Sequence, residues 1–357
     1  MIKISSSKTS RSFAILKTKM IFGAMCAAIL GTSLSADNAH AWGRTGHDMA
    51  ARVAAHLLAE SNGKTQTAKN FYKARAFDLG YYCNVPDLIW KKPATYEVEW
   101  TNHFMDLEIY DREFKKAIEE GRLSAKEDPF ELSRADFEKK FSGIPATAGR
   151  AYWRVRELEK RLQATSDLLK QKDILKEERH RLQLEWLTVA GVMAHYLSDL
   201  SQPLHVTENH DGQMTEQPGI HSHFEDTLVD ELWPSIDMQV YKEADRLWAK
   251  EQNMLAGKTT LALMKDLATN ASKDLGEILA RDKKTSREDI KKSAEANRTV
   301  IIRRLATASV TIAEIWRRHS NWQPNMEKFY SFSGEPAYIE PPKPLPTPTP
   351  TPKPTKK

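Results

Sequence analysis

His195-Tyr196-Leu197-Ser198-Asp199-Leu200-Ser201-Gln202-Pro203-Leu204-His205 closes an apolar helical run and carries three side chains of metal-binding type. His195 and Asp199 are four apart, so a helix sets both on one side. Pro203 ends or kinks that helix, which lets His205 point back toward the same region. Residues 184–201 are apolar enough to be buried, and helical spacing continues outward from them. Residues 47–60 place Met49, Val53, Ala54, Leu57 and Leu58 on one stripe. Residues 148–182 are long, charged and almost free of Gly and Pro, and residues 240–281 and 286–318 continue the helical pattern. No alternating strand pattern stands out. The expectation is an all-α protein, a multi-helix single domain with a metal cleft.

A second pair at helical spacing, His221 and Glu225, follows in Gly219-Ile220-His221-Ser222-His223-Phe224-Glu225. Imidazole and carboxylate are the ligands of hydrolytic zinc sites. One such pair alone is compatible with a helix-surface hydrogen bond. Two pairs with His205 between them, in an apolar helical setting, favour a metal. His223 with Asp226, three apart, competes with His221 and Glu225. His56, His180 and His319 read as surface or packing residues.

The N-terminal stretch reads as a secretory signal over residues 1–41. Lys3, Lys8, Arg11, Lys17 and Lys19 precede an apolar run from Met20 to Leu34, and Ala39-His40-Ala41 supplies the small residues of a cleavage box. Cleavage there frees the α-amine of Trp42, with Gly43-Arg44-Thr45-Gly46-His47 following. That amine, a neighbouring carbonyl and the His47 imidazole can chelate one metal ion.

The chain has 53 Lys and Arg against 48 Asp and Glu, a net charge of +5. The signal holds five of the bases and one acid, Asp37, and residues 341–357 hold four lysines and no acid, so residues 42–340 carry −3. A nucleic-acid-binding domain usually shows a basic excess, and this body has none. A body of about 300 residues suffices for one large core. Cys26 lies in the signal, so the mature chain keeps Cys83 alone and no internal disulfide forms. Export without a disulfide leaves metal as a candidate staple. No other apolar run approaches the ~20 residues that span a bilayer, so no integral membrane segment is expected after cleavage. The expected division is signal peptide 1–41, hydrolase domain 42–335 and Pro-rich tail 336–357. The tail's Thr-Pro repeats read as an extended polyproline-like linker. The stretch 106–182, rich in Lys, Glu and Arg, reads mostly as solvated helix surface broken at Pro129 and Gly143-Ile144-Pro145.

The run from His195 to His205, the Gly-Ile-His-Ser-x-Phe-Glu segment and the N-terminal Trp together resemble the zinc-dependent phospholipase C superfamily, which includes the single-strand-specific nucleases. The resemblance covers most of the body, through four short segments. It implies an all-α hydrolase with three zinc ions in one cleft. Trp42, by amine and carbonyl, and His47 would hold one ion, and Asp199 would bridge it to a second. His195, His103 and Asp87 would complete the second. His205, His221 and Glu225 would hold the third. Asp87 would also be the catalytic base, with Asp78 and Asp106 as competing candidates for its place. Clustered zinc would stabilise charge on a phosphodiester and acidify bound water to a pKa of ~7.

The short opening Trp-Gly-x-x-Gly-His looks nuclease-like. Glu225, where nucleases typically carry Asp, looks phospholipase-like, and the Gly-Gly-Asn run typical of nucleases is replaced by His210-Asp211-Gly212-Gln213-Met214. Trp100 would wall a choline-type cation or a stacked base, or simply pack the core. The resulting expectation is a secreted or periplasmic tri-zinc phosphodiesterase that hydrolyses phospholipids. A single-strand-specific nuclease and a non-catalytic metal-stabilised envelope protein are the alternatives.

Overall fold

The computed structural model describes residues 42–61 and 64–326. The expected signal and the Pro-rich tail lie outside these residues. Among the described residues the long elements are all helices: α1 (Gly43–Glu60), α2 (Gln66–Cys83), α3 (Leu107–Glu119), α4 (Arg134–Lys140), α5 (Ala151–Leu169), α6 (Lys176–Asp199), α7 (Asp237–Ala256), α8 (Thr260–Ser272), α9 (Leu275–Lys284) and α10 (Ile290–Arg318). Extended pairing is limited to one isolated bridge, Met105 to Gly149. The all-α expectation therefore holds.

Helix starts follow local chemistry. Thr65, Ser133, Thr259 and Asp289 each accept a backbone N–H from the first turn of α2, α4, α8 and α10, satisfying a donor the helix itself leaves open. The core forms where α1, α2, α6 and α10 pack on one another. Every residue of α6 from Val189 to Asp199 is buried. Gly191 permits the approach of α2, since a Cβ there would lie 2.4 Å from Tyr82 Cβ and 3.0 Å from Leu79 O. That close crossing sets the end of α2 against the end of α6, where the metal-type side chains sit.

Two expectations change. The helical run over 148–182 is split at 170–175, between α5 and α6. No Gly or Pro marks the break. Arg179 holds it instead, its guanidinium donating to Leu169 O and Gln171 O. The stretch 106–182 is also more than solvated surface. Its exposed charges cover a cluster in which Phe137 lies 4.3 Å from Trp153 and 5.1 Å from Phe141, and Phe130 lies 5.3 Å from Tyr110, centroid to centroid.

Candidate metal centre

The end of α6, the turn Pro86–Trp90, the turn Trp100–His103, the turn Pro203–Val206 and the segment Ile220–Thr227 converge on one buried polar region. Three groups of side chains there could each hold a metal ion, their ligand atoms lying within 4.8 Å of one another: His47, Cys83 and His195; Asp87, His103 and His195; His205, His221 and Glu225.

The histidine rings are oriented from behind. His195 Nδ1 donates to Cys83 O at 2.7 Å, His205 Nδ1 to His103 O at 2.8 Å and His221 Nδ1 to His210 O at 2.8 Å. The Ser198 hydroxyl donates to His195 O at 2.8 Å, so its lone pair accepts from His47 Nδ1, also at 2.8 Å. Each of these four rings thereby turns Nε2 inward, and in His47, His195 and His205 the protonated Nδ1 leaves that Nε2 as the lone-pair nitrogen, the arrangement that fixes a ligating imidazole. His103 is reversed: Nδ1 faces inward and Nε2 faces Glu99 Oε1 at 3.5 Å.

Asp199 sits among the inward nitrogens. Its Oδ1 lies 3.3 Å from His47 Nε2, and its Oδ2 lies 3.0 Å from His103 Nδ1 and 3.4 Å from His195 Nε2. Asp87 Oδ2 lies 3.7 Å from His47 Nε2, and Oδ1 lies 3.6 Å from His195 Nε2 and 2.7 Å from Lys91 Nζ. In the third group, Glu225 Oε2 is 3.0 Å from His221 Nε2 and 3.3 Å from His205 Nε2, and accepts from Gln202 Nε2 at 2.7 Å. Four ligands held at ~2.1 Å around zinc stand ~3.4 Å apart, so these separations suit a zinc ion. His47 Nε2, Asp87 Oδ2, Asp199 Oδ1 and Glu225 Oε1 are buried and make no hydrogen bond. Buried polar atoms are normally satisfied, and cations bound in these groups would satisfy them.

Burial, followed by the neighbouring His195, His103's neighbour Lys91, and His103 itself, pushes the pKa values of His47, His103 and His195 respectively well below the usual histidine range. Burial lowers His205 as well. Neutral imidazole is the ligating form. Burial would lower His221 too, but the facing Glu225 outweighs it and raises the pKa. Asp199 is raised well above the carboxylate range by burial and by Asp87. Burial acts the same way on Asp87, but Lys91, His103 and His47 outweigh it and lower the pKa. Asp87 is thus the readier of the two to be a carboxylate.

Trp42 is fully buried. Its indole donates to Ser198 O at 2.7 Å, which ties the start of α1 to the end of α6. Its amine, the expected ligand, depends on cleavage after residue 41, outside the described residues. Of the competitors for Asp87, Asp78 is paired with Arg75 at 2.9 Å, and Asp106 faces Glu108 and Glu208. His223 bonds Ser293 at 3.2 Å, away from Glu225. His56 pairs with Asp245 at 3.3 Å, and His319 with Glu159 at 3.1 Å.

Sequence reasoning missed Cys83, Lys91 and Gln202. The Cys83 sulfur lies 3.9 Å from His47 Nδ1, the nitrogen already engaged by Ser198, and burial pushes its thiol pKa well up. It packs there as a neutral thiol. Lys91 had a signal, its i+4 spacing from Asp87. A cavity of about 240 Å³ opens onto the centre, lined by His103, His205, His221, Lys91, Tyr96 and Trp100 among others. Trp100 is partly exposed and stacks on Tyr96, centroids 6.2 Å apart and planes 5° apart. It is a cavity wall, not core.

No family model matches the chain, and no curated protein does. Among solved structures, the chain is similar to Clostridium perfringens alpha-toxin isolated from avian strain SWCP, with a TM-score of 0.43 and 15% identity over 77% of this chain and 64% of the toxin chain. The chain therefore spans less than two thirds of the toxin's length, and the likeness is too slight to assign a family.

Proposed function

We propose that the protein is an exported zinc-dependent phosphodiesterase of phospholipase C type, with residues 42–335 as its hydrolase domain. One observation carries the reading: four buried ligand atoms without hydrogen bonds lie in a centre where burial keeps His47, His103 and His195 neutral. We assign three zinc ions to these donors. His47, with the freed Trp42 amine and carbonyl, would hold one. Asp199 would serve that ion and a second held with Asp87, His103 and His195. His205, His221 and Glu225 would hold the third. When bound, zinc supplies Lewis-acid stabilisation of phosphate oxygens and acidifies water.

The remaining work falls to the chain. Asp87 Oδ2, buried and without a hydrogen bond, is placed to accept the proton of the attacking water. Lys91 stays charged because Asp87 offsets its burial, and adds a fixed positive charge to the cavity wall beside a substrate phosphate. Gln202 holds Glu225 in register. Tyr96 and Trp100 offer stacked faces that suit a quaternary ammonium headgroup. Glu225 and the acidic body favour lipid over nucleic acid. The stacked rings equally suit a nucleobase, which keeps the nuclease as the second reading.

The test is the mature protein, zinc-loaded, assayed on phosphatidylcholine vesicles, a soluble choline phosphodiester, and single-stranded DNA and RNA, with metal content measured in parallel. Lipid and soluble ester hydrolysis with about three zinc ions per chain is expected. Nucleic-acid cleavage alone would transfer the assignment to the nuclease. Full metal content with no turnover would leave a metal-stabilised envelope protein.

A further inference from the structure

Beside the metal centre lies a second groove, of about 260 Å³, that the proposed chemistry does not use. Its apolar lining is Phe77, Tyr81, Leu88 and Trp233, which are 66%, 58%, 50% and 49% exposed. Four half-exposed large side chains in one groove are unusual on a soluble surface and mark an interaction site. Phe77 and Tyr81 are four apart on α2 and share a face. Leu88 directly follows Asp87, while Lys91, three residues on, lines the catalytic cavity. The chain thus passes from the groove at Leu88 to the cavity at Lys91 within three residues.

The polar lining is largely satisfied internally. Asp48 is paired with Arg52 at 2.7 Å, Thr45 donates to Asp230 at 2.6 Å and Asn84 donates to Gly80 O at 3.1 Å. Arg52 also lies over the Phe77 ring, 5.5 Å from its centroid. With Asp48 neutralised, the exposed Arg44 is the charge the groove presents. Arginine takes phosphate oxygens in a bidentate fork, and Trp and Tyr favour the headgroup level of a bilayer, where one end is apolar and the other wet. A cation on phosphate beside aromatics at the acyl boundary is the chemistry of a phospholipid surface.

We propose that this groove docks the protein on a phospholipid bilayer, seating Phe77, Tyr81, Leu88 and Trp233 at the headgroup–acyl boundary with Arg44 on lipid phosphate. Docking there brings headgroups to the neighbouring cavity. The inference rests on the phospholipase reading for its purpose but is tested apart from it.

The experiment uses the mature chain and vesicles of phosphatidylcholine containing phosphatidylglycerol. Partitioning of the zinc-loaded chain is measured by co-sedimentation with non-hydrolysable phosphonate analogues of these lipids, so that no lipid is consumed. Phe77→Gln, Tyr81→Gln and Trp233→Gln are made singly and together, with Arg44→Gln, and Leu175→Gln as an exposed apolar control elsewhere. Each aromatic replaced weakens partitioning about tenfold, since its apolar area no longer leaves water. Leu175→Gln leaves partitioning unchanged, and the triple variant hydrolyses the soluble ester within about twofold of the parent. A parent that does not partition, a triple variant that partitions as well as the parent, or a patch that instead mediates self-association lost in the variant would each overturn the proposal. Partitioning without lipid hydrolysis would sink the phospholipase reading and leave docking intact. Vesicle hydrolysis undiminished in the triple variant would do the reverse.

Discussion

Replacing Asp199 with asparagine keeps the shape of the side chain and removes its charge, and the two forms of the protein should respond in opposite directions. In the metal-free protein Asp199 is a fully buried carboxylate beside Asp87, its pKa raised well above the usual range by burial first and by Asp87 second. An amide there relieves a poorly compensated buried acid, worth about 1–3 kcal/mol. At about 2 °C per kcal/mol for a body of this size, the chelated variant should melt about 2–6 °C above the chelated parent. In the zinc-loaded protein the sign reverses. Asp199 lies 3.3 Å from His47 Nε2 and 3.0 Å from His103 Nδ1, which belong to different groups. At free zinc a thousandfold above Kd, each ion contributes about 4.1 kcal/mol. A hundredfold loss of affinity at two ions removes about 5 kcal/mol of that, or about 10 °C of the zinc-dependent increment.

The assay is a melting curve with chelator and with buffered zinc, alongside metal content. His221→Ala is the comparator, because His221 faces only the group of His205 and Glu225. It should lose roughly half as much of the increment, one ion against two. An Asp199→Asn protein that keeps the parent's zinc increment, or loses no more than His221→Ala, would refute the assignment of Asp199 to two ions.

Three further outcomes are expected. Gly43→Ala should cost about 3 kcal/mol by denaturant titration, because Gly43 has φ +51° and a Cβ would lie 2.2 Å from Asp226 Oδ1; a loss below about 1 kcal/mol would mean the turn relaxes freely. Asp106 is raised to about 7 by burial, then by Glu108 and Glu208, so its folded form favours the protonated acid, and stability falls as pH climbs from about 4 to about 7 and stays lost above. Asp106→Asn should therefore match the parent near pH 4 and exceed it by about 1–2 kcal/mol at pH 8 in chelated protein, and an unchanged gap across that range would contradict the burial argument. A mature chain begun one residue early, as Ala-Trp42, should fold yet bind less zinc and turn over slowly, because an amide nitrogen replaces the free amine; equal zinc and equal rate would make Trp42 an ordinary first residue.

What could be read from the sequence was what lies within one helical turn. His195 with Asp199 and His221 with Glu225 were visible as i, i+4 pairs; the fold gathers His195 with His103 and Asp87, sets Asp199 3.0 Å from His103, and gathers His221 and Glu225 with His205. What could not be read was set by contacts between distant elements. Cys83 was the leftover thiol of the mature chain, and its sequence gave no hint that its carbonyl would hold His195. That contact exists because Gly191 lets α2 cross close to α6. The break between α5 and α6 was invisible because Arg179, not Gly or Pro, stabilises it. The aromatic cluster under 106–182 was hidden by the charge that surrounds it, since composition averages over faces that folding separates.

The same contacts decide how the donors are held. A site built only by its ions would leave its histidines free to rotate until metal arrived. Here each of four rings is fixed by an outer bond to a carbonyl or to Ser198, and those partners sit on α2, on α6 and on turns packed into the core. The fold itself therefore orients the donors, and the cost appears as buried atoms without hydrogen bonds and as an Asp199 that resists ionising. Buried polar groups without partners cost stability, so an ion bound to them would recover part of that cost. Under the proposed reading metal would be the staple of the exported chain, each ion stabilising the fold by relieving a specific, pre-placed defect.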